Sequence, residues 1–452
     1  MRILFIYPNV NLNISINHGI AALSAFLKKF GHQTDLIQIN TKQELKDLSM
    51  IELFKPDIIA MYVGTTQWQT AKAVAKQVKQ KYCIPIFIGG PHPTTNPECL
   101  FEIEEIDGLC IGEGEHALLE LVERFSKGGE ITNIRNLWVR QGRVISKNAV
   151  RPLMERLDEL PFPDWSIFSK EAIYNYPCFS FSRGCPFLCP YCINYALKNI
   201  YNDGTKFVRF RSVHSAIEEI KGKKDRYSLK ILNFDDDVLT KDKIWIKEFC
   251  SVYKKEIGIP FNCNVRVETV DDDMCALLKN AGAHMVGMGI ESGDFNIRKK
   301  ILNRIITDDQ IIRAFKTVKS AGLKTYAFNM IGIPGETSES FEKTIALNKA
   351  VLPDDLQLSI FFPFPGTILG EECIKNKYIK YESPFGIFNY SVLEFPQIFK
   401  RKDLHRYYDN FEYRVYKKSN FAKAIKSRIS KFIHRHRPLD LIFRPILRTK
   451  NG

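Results

Sequence analysis

Residues 180–194, SFSRGCPFLCPYCIN, put Cys185, Cys189 and Cys192 within eight residues at the spacing Cys-x3-Cys-x2-Cys. The loop leaves directly from a strand pattern, CFSFSRG, and Pro186 and Pro190 stiffen it by fixing φ. A closed zinc site takes four protein ligands. Here Cys178 lies seven residues upstream inside the strand pattern, and His214 is distant. A cubane [4Fe–4S] cluster held by three thiolates has no need of a fourth, because its unique iron keeps open positions for a chelating amine and carboxylate. Structural zinc stands as the alternative reading.

Reading outward from the cysteines, a series of strand patterns follows: LKILNFDDD, FNCNVRVET, HMVGMGIES, KTYAFNMIGIPGE and LQLSIFFPFPGT. Each is followed by a helical pattern, such as DDMCALLKNAG or DQIIRAFKTVKSAG. Counting CFSFSRG, these make six strand–helix units in residues 177–370. That is a partial parallel barrel, since the eightfold one takes about 250 residues. The polar residues Asp235, Asp236, Asp237, Arg266, Glu268, Glu291 and Glu336 fall at carboxyl ends of their strands, which in a barrel is the catalytic rim.

Upstream, residues 1–135 alternate in the same way. The apolar runs RILFIYP, TDLIQIN, PDIIAMYVG, IPIFIGG and IDGLCIG are separated by helical patterns, the first being GIAALSAFLKKFGH. Five strands buried on both faces predict a doubly wound parallel sheet, of flavodoxin-like order. The turn after the first strand has no Gly-x-Gly-x-x-Gly. The glycines come instead in GGPHPTT (89–95) and GEGE (112–115), at strand ends where open α/β sheets bind ligands. Glycines that merely turn the chain are the alternative. Residues 136–176 read as a linker with a hairpin in NLWVRQGRVISKN, and 371–452 as a helical extension.

Of eleven cysteines, eight are scattered, which in a chain of this size argues against a disulfide framework. The N-terminus, MRILFIYPNV, has one basic residue and no small-residue cleavage site, so it reads as a first buried strand. No apolar run reaches the roughly 18 residues of a spanning helix, and a cytoplasmic location is expected. Residues 414–452 hold twelve Lys or Arg against one acid, Asp440. The tail thus carries +11 of the net charge of +14. Within it Phe421, Ile425, Ile429 and Phe432 form an apolar stripe at helical spacing. That pattern suits the inner face of an anionic membrane, packing against the barrel, or non-specific phosphate contact.

The three cysteines, with Tyr191 before the last, resemble the signature of the radical S-adenosylmethionine (SAM) enzymes. The resemblance implies a [4Fe–4S] cluster on Cys185, Cys189 and Cys192 that reductively cleaves SAM to a 5′-deoxyadenosyl radical. It further implies SAM contacts from Tyr191, Asp235, Asp236, Asp237, Arg266, Glu291, Gly332 and Gly335, each of these polar groups having a rim salt bridge or a helix cap as its alternative role. A doubly wound domain ahead of the barrel, with GGPHPT and GEGE, looks like the cobalamin-binding subclass, a likeness covering residues 1 to 370. It implies cobalamin contacts from Thr65, Thr66, Gly89, Gly90, Pro91, His92, Gly112 and Glu113. No Asp-x-His-x-x-Gly loop is present, and neither His18 nor His92 is read as a cobalt ligand. The methylthiotransferases share the domain order but carry three further cysteines, which Cys83, Cys99 and Cys110 match poorly.

The function expected is methylation of an unactivated sp3 carbon on a small-molecule or lipid-linked substrate, with an external one-electron reductant and no specific nucleic acid. Cyclisation, ring contraction and methylthio transfer are the alternatives within the family. A non-catalytic metal- and cobalamin-binding regulator is the alternative outside it.

Overall fold

The structure, a computed structural model, describes residues 1–10, 14–41, 44, 47–201, 204–381, 391–394 and 400–435. The chain divides into two compact units. The first comprises Met1–Asn264 with Phe364–Glu371; the second begins at Val265.

The first unit opens with β1 (Arg2–Tyr7), α1 (His18–Lys29), β2 (Gln33–Gln38), α2 (Ser49–Phe54), β3 (Ile58–Tyr62) and α3 (Trp68–Lys81). It continues with β4 (Ile86–Gly89), α4 (Pro91–Thr95), β5 (Gly108–Cys110), α5 (Glu115–Ser126), β6 (Leu137–Gln141) and β7 (Val144–Lys147). The sheet order is β2-β1-β3-β4-β5-β6-β7, parallel through β5. The five-stranded doubly wound domain of flavodoxin-like order is therefore present. Its central strands are apolar throughout because helices cover both faces; Ile3, Leu4, Ile6, Ile58 and Ile59 are fully buried. The expected linker hairpin is β6–β7, and it is part of this sheet. β6 pairs antiparallel with β5, and Trp138 closes the edge of the core. The sheet thus runs past residue 135, where sequence patterning places the boundary.

The same unit then holds α6 (Lys170–Asn175), β8 (Cys178–Phe179), β9 (Ser182–Arg183), α7 (Ile193–Ile200), β10 (Arg209–Phe210), α8 (Val213–Tyr227), β11 (Leu232–Phe234), α9 (Lys243–Glu256) and β12 (Phe261–Val265). β11 lies between β8 and β12, both parallel to it, while β9 pairs antiparallel with β10. CFSFSRG is accordingly two short strands. The break has a cause: Asp236 accepts hydrogen bonds from the Phe181 and Ser182 N–H groups, at 2.9 and 2.6 Å, so those donors leave the ladder.

The second unit contributes α10 (Asp272–Ala281), β13 (Ala283–Glu291), α11 (Asp308–Ser320), β14 (Lys324–Ile331), α12 (Ser338–Val351) and β15 (Asp355–Ile360). β14 pairs in parallel with both β13 and β15. The second series therefore supplies six strands, three from each unit. After β15 come α13 (Ile368–Lys375), α14 (Arg401–Tyr416) and α15 (Phe421–Arg435). Among the described residues no helix is long and apolar enough to cross a membrane.

Candidate functional site

The first unit contains a cleft of about 520 Å³ over the carboxyl ends of β3, β4 and β5. Its floor is Ala60, Met61, Phe87 and Ile88, and its near rim is Gly89, Gly90, Pro91, Thr94, Gly112 and Glu113. Its far wall comes from the second series: Ser180, Ser182, Arg183, Gly184, Ile193, Asn194 and Asp237. The glycines are there for backbone reasons. Gly90 has φ of +103°, and a Cβ on it would stand 3.1 Å from the Tyr62 ring. Gly112 has φ of +79°, and a Cβ there would overlap the Tyr201 hydroxyl.

The cysteine loop is part of the far wall's sequence. Gly184, at φ +87° and against the Phe207 carbonyl, turns the chain from β9 into Cys185. The Cys192 N–H donates to the Cys189 carbonyl at 3.0 Å, closing the turn that ends at α7. The Cys192 thiol is pushed up to about 11, first by burial and then by Asp237 and the neighbouring Cys189 and Cys185. The three sulfurs thus share one electrostatic site, which fits a group that binds thiolates and carries positive charge of its own. The cleft beside it, rimmed by glycine backbone and floored by apolar side chains, fits a large flat ligand lying across the strand ends.

Both flanks of the cysteine loop are tied to GEGE. Arg183, two residues before Cys185, donates to Glu113 at 3.0 Å and to Glu115 at 2.5 Å. Arg209 on β10 pairs with the same Glu113 at 2.9 Å. Beyond α7, the Tyr201 hydroxyl accepts the Glu113 N–H at 2.7 Å. Burial alone would raise the Glu113 carboxyl, but the Arg183 and Arg209 guanidiniums hold it down to about 2. Replacing Arg183 by Gln strands the buried Glu115 carboxylate. That should cost roughly 3 kcal/mol of stability. The double variant Arg183→Gln/Glu115→Gln should recover more than half of it, read by denaturant titration of anaerobic protein. A single variant within about 1 kcal/mol of wild type would remove the network's importance.

Gly89, Gly90, Pro91, Gly112 and Glu113, expected to contact cobalamin, line the cleft. Thr65, Thr66 and His92 do not. Thr65 and Thr66 sit in a short 3₁₀ turn after β3. His92 is 3% exposed, with its ring 5.0 Å from that of Trp68 and its pKa pushed down to about 4 by burial. The turn into α4 points it at the core, so the residue beside Pro91 is a packing group.

Among the expected SAM contacts, Asp237 lines the cleft. Asp236 is not among the residues lining the cleft: it is 1% exposed, and one oxygen accepts from Phe181 and Ser182. Burial raises its carboxyl to about 6. Asp235 accepts from the Tyr176 hydroxyl at 2.8 Å and faces His18 at 3.5 Å. Tyr191 is half-buried in the cysteine loop.

Arg266, Glu291, Gly332 and Gly335 belong to the second unit. Glu291 ends β13 at a bulge, with φ of +64° and an ion pair to Arg304 at 3.2 Å. Arg266 pairs with Glu268 at 2.5 Å. Gly332 and Gly335 both have φ of +81°, and the Gly332 N–H donates to Glu336 at 2.6 Å. Sequence reading missed Arg183, Arg209 and Tyr201. Only Arg183 had a signal, its place in SRGC next to the cysteines.

Comparison with known proteins adds the following. The Radical SAM superfamily matches residues 179–347, and the B12 binding domain matches residues 12–122. An uncharacterized methyltransferase of Pyrococcus horikoshii is 33% identical over 338 residues, which are 73% of this chain and 72% of the relative. An anaerobic magnesium-protoporphyrin IX monomethyl ester cyclase of Rubrivivax gelatinosus is 28% identical, covering 82% of this chain and 70% of the cyclase. Among solved structures, the radical SAM methyltransferase TsrM of Kitasatospora setae, with cobalamin and a [4Fe–4S] cluster bound, superposes with a TM-score of 0.68 at 15% identity. The match covers 85% of this chain and 76% of TsrM and speaks for the fold alone.

Proposed function

We infer the function from one premise: the chain belongs to the radical SAM superfamily and carries a B12 binding domain ahead of the radical SAM domain. It is an enzyme of the cobalamin-dependent radical SAM methyltransferase type, using a [4Fe–4S] cluster, SAM and cobalamin, and it needs an external reductant. The finer reading is methylation of an unactivated sp3 carbon on a small molecule.

One observation carries that reading. A single cleft is bounded on one side by the glycine loops of the first sheet and on the other by the residues flanking the cysteine loop. When bound, the cofactors supply a carbon-centred radical source and a transferable methyl group. The chain's own part is placement and dryness. Cys185, Cys189 and Cys192 would hold the cluster; Gly89, Gly90, Pro91, Gly112 and Glu113 would meet the cobalamin. Tyr191, Asp237, Arg266, Glu291, Gly332 and Gly335 are the proposed SAM contacts. Leu23, Leu118, Leu153 and Leu157 line the cleft and give it an apolar wall that would hold the reactants away from bulk solvent. The cyclase among the relatives favours a second reading, a radical rearrangement without methyl transfer.

A product assay separates the two. Anaerobically reconstituted protein is given SAM and a strong reductant, with and without hydroxocobalamin. 5′-Deoxyadenosine together with cobalamin-dependent S-adenosylhomocysteine supports methyl transfer. 5′-Deoxyadenosine alone supports rearrangement.

A peripheral location at an anionic membrane, with a lipid-linked substrate, is proposed on a separate observation. α15 buries Ala424 and turns Lys431 back to Glu412, yet leaves Phe421 and Ile429 more than half exposed among its basic residues. The fourth residue of the stripe, Phe432, has a side chain outside the described residues, as are residues 436–452. Phe421→Ser/Ile429→Ser should reduce sedimentation with phosphatidylserine vesicles several-fold. Unchanged binding retires the idea. Truncation at 414 is a poorer test, because Val415 and Tyr416 are buried.

A further inference from the structure

We propose that His18, Cys178 and Asp235 form a second metal site, for a borderline divalent cation of the zinc class, separate from the three-cysteine loop. The three residues come from three places: the first turn of α1, the start of β8, and the residue after β11. All lie within the first unit. Their ligand atoms, an imidazole nitrogen, a thiol sulfur and a carboxylate oxygen, all lie within 4.8 Å of one another.

The spacing favours a shared ion over a hydrogen bond. His18 Nε2 is 3.5 Å from Asp235 Oδ2, at the outer limit of a hydrogen bond. Nitrogen and oxygen ligands about 2.0–2.1 Å from one tetrahedral ion lie about 3.4 Å apart. The other carboxylate oxygen, Oδ1, accepts from the Tyr176 hydroxyl at 2.8 Å. That outer contact fixes the carboxylate and leaves Oδ2 for the metal.

Charge points the same way. A thiolate, a carboxylate and a neutral imidazole around a dication sum to zero, and Cys178 is only 2% exposed. Binding releases the thiol proton of Cys178, and the second ring proton of His18 where the imidazole carries one, to solvent. A nitrogen, a sulfur and one oxygen suit zinc better than magnesium or calcium, which take oxygen. Three protein ligands leave the fourth position for water or a donor atom of the substrate. His18 also lines the cleft, so a substrate there with an anionic oxygen or sulfur is the class such a site would take.

The test uses the full chain with Cys185, Cys189 and Cys192 all changed to Ala, so that zinc misplaced into the cluster loop is removed from the count. After dialysis against zinc and passage over a chelating resin, metal analysis should find about one zinc per chain. Adding His18→Gln, Cys178→Ala or Asp235→Asn should each bring that below about one tenth. The same zinc should accompany about four irons in the reconstituted holoenzyme. The proposal is overturned if the triple variant holds no zinc, or if zinc persists through all three further substitutions. Asp235→Asn is nearly isosteric and keeps the Tyr176 contact, so loss of zinc there with an unchanged melting curve cannot be assigned to unfolding. Neither result depends on methyl transfer.

Discussion

Changing any one of Cys185, Cys189 or Cys192 to Ala abolishes reductive cleavage of SAM and lowers iron from about four per chain to below one. The effect should be all-or-none because the three cysteines are the proposed thiolate ligands of the cluster, and a cluster left with two of them would lose its chelate and dissociate. The fold should survive, since Cys185 and Cys192 are only half-buried and Cys189, though buried, is a small side chain compared with the core aromatics Phe181, Phe234 and Phe249. Cys250→Ala is the control. It removes a thiol of similar type that is buried on α9 and raised to about 12 by burial, with no thiolate role. Iron content and 5′-deoxyadenosine are measured on anaerobic samples of each variant. A single cysteine variant that keeps about four irons and cleaves SAM at the wild-type rate would falsify the cluster assignment.

The parts of the molecule that were legible in the sequence are those where one local rule governs. Ile3 to Ile6 form an unbroken apolar run because helices cover both sheet faces, and such runs reveal their strands directly. Cys185, Cys189 and Cys192 are close in space because they are close in sequence. What depended on distant partners was not legible. The break between β8 and β9 is imposed by Asp236, more than fifty residues on. The β6–β7 hairpin was visible, but its docking onto β5 was not, since an antiparallel edge strand carries the same pattern as a free hairpin. His92 sits in a glycine–proline turn that suggests a ligand loop, and only its burial against the Trp68 ring reveals it as core. His18, Cys178 and Asp235 belong to three separate motifs, and no spacing rule links them.

Glu336→Gln stabilises the protein at pH 8.5 by roughly 4 kcal/mol and does little at pH 5. The Glu336 side chain is 1% exposed; one oxygen accepts the Gly332 N–H, and the other is buried with no partner. Burial raises its carboxyl to about 8, against an ordinary value of 4.5, with the Gly332 and Ile333 backbone only partly offsetting this. The sign follows from the direction of the shift. A group whose folded pKa is raised binds its proton more tightly when folded, so its contribution is fully favourable below about pH 4.5. Between 4.5 and 8 the unfolded chain ionises freely while the folded one does not, and stability falls steadily through that window. Glutamine keeps a carbonyl for the Gly332 N–H and has nothing to ionise, so the fall disappears. Denaturant midpoints of both proteins at pH 5, 7 and 8.5 would show it as a widening gap; parallel curves would place the carboxyl's pKa near its ordinary value. The carboxyl is costly where it stands, yet it holds the Gly332 N–H of a turn whose two glycines, Gly332 and Gly335, both have positive φ. A residue that weakens the fold while fixing one backbone turn is better explained by what the turn must present than by stability. Glu336→Ala, which removes the acceptor that glutamine keeps, should therefore raise the KM for SAM if that turn meets the nucleoside, while Glu336→Gln leaves it unchanged.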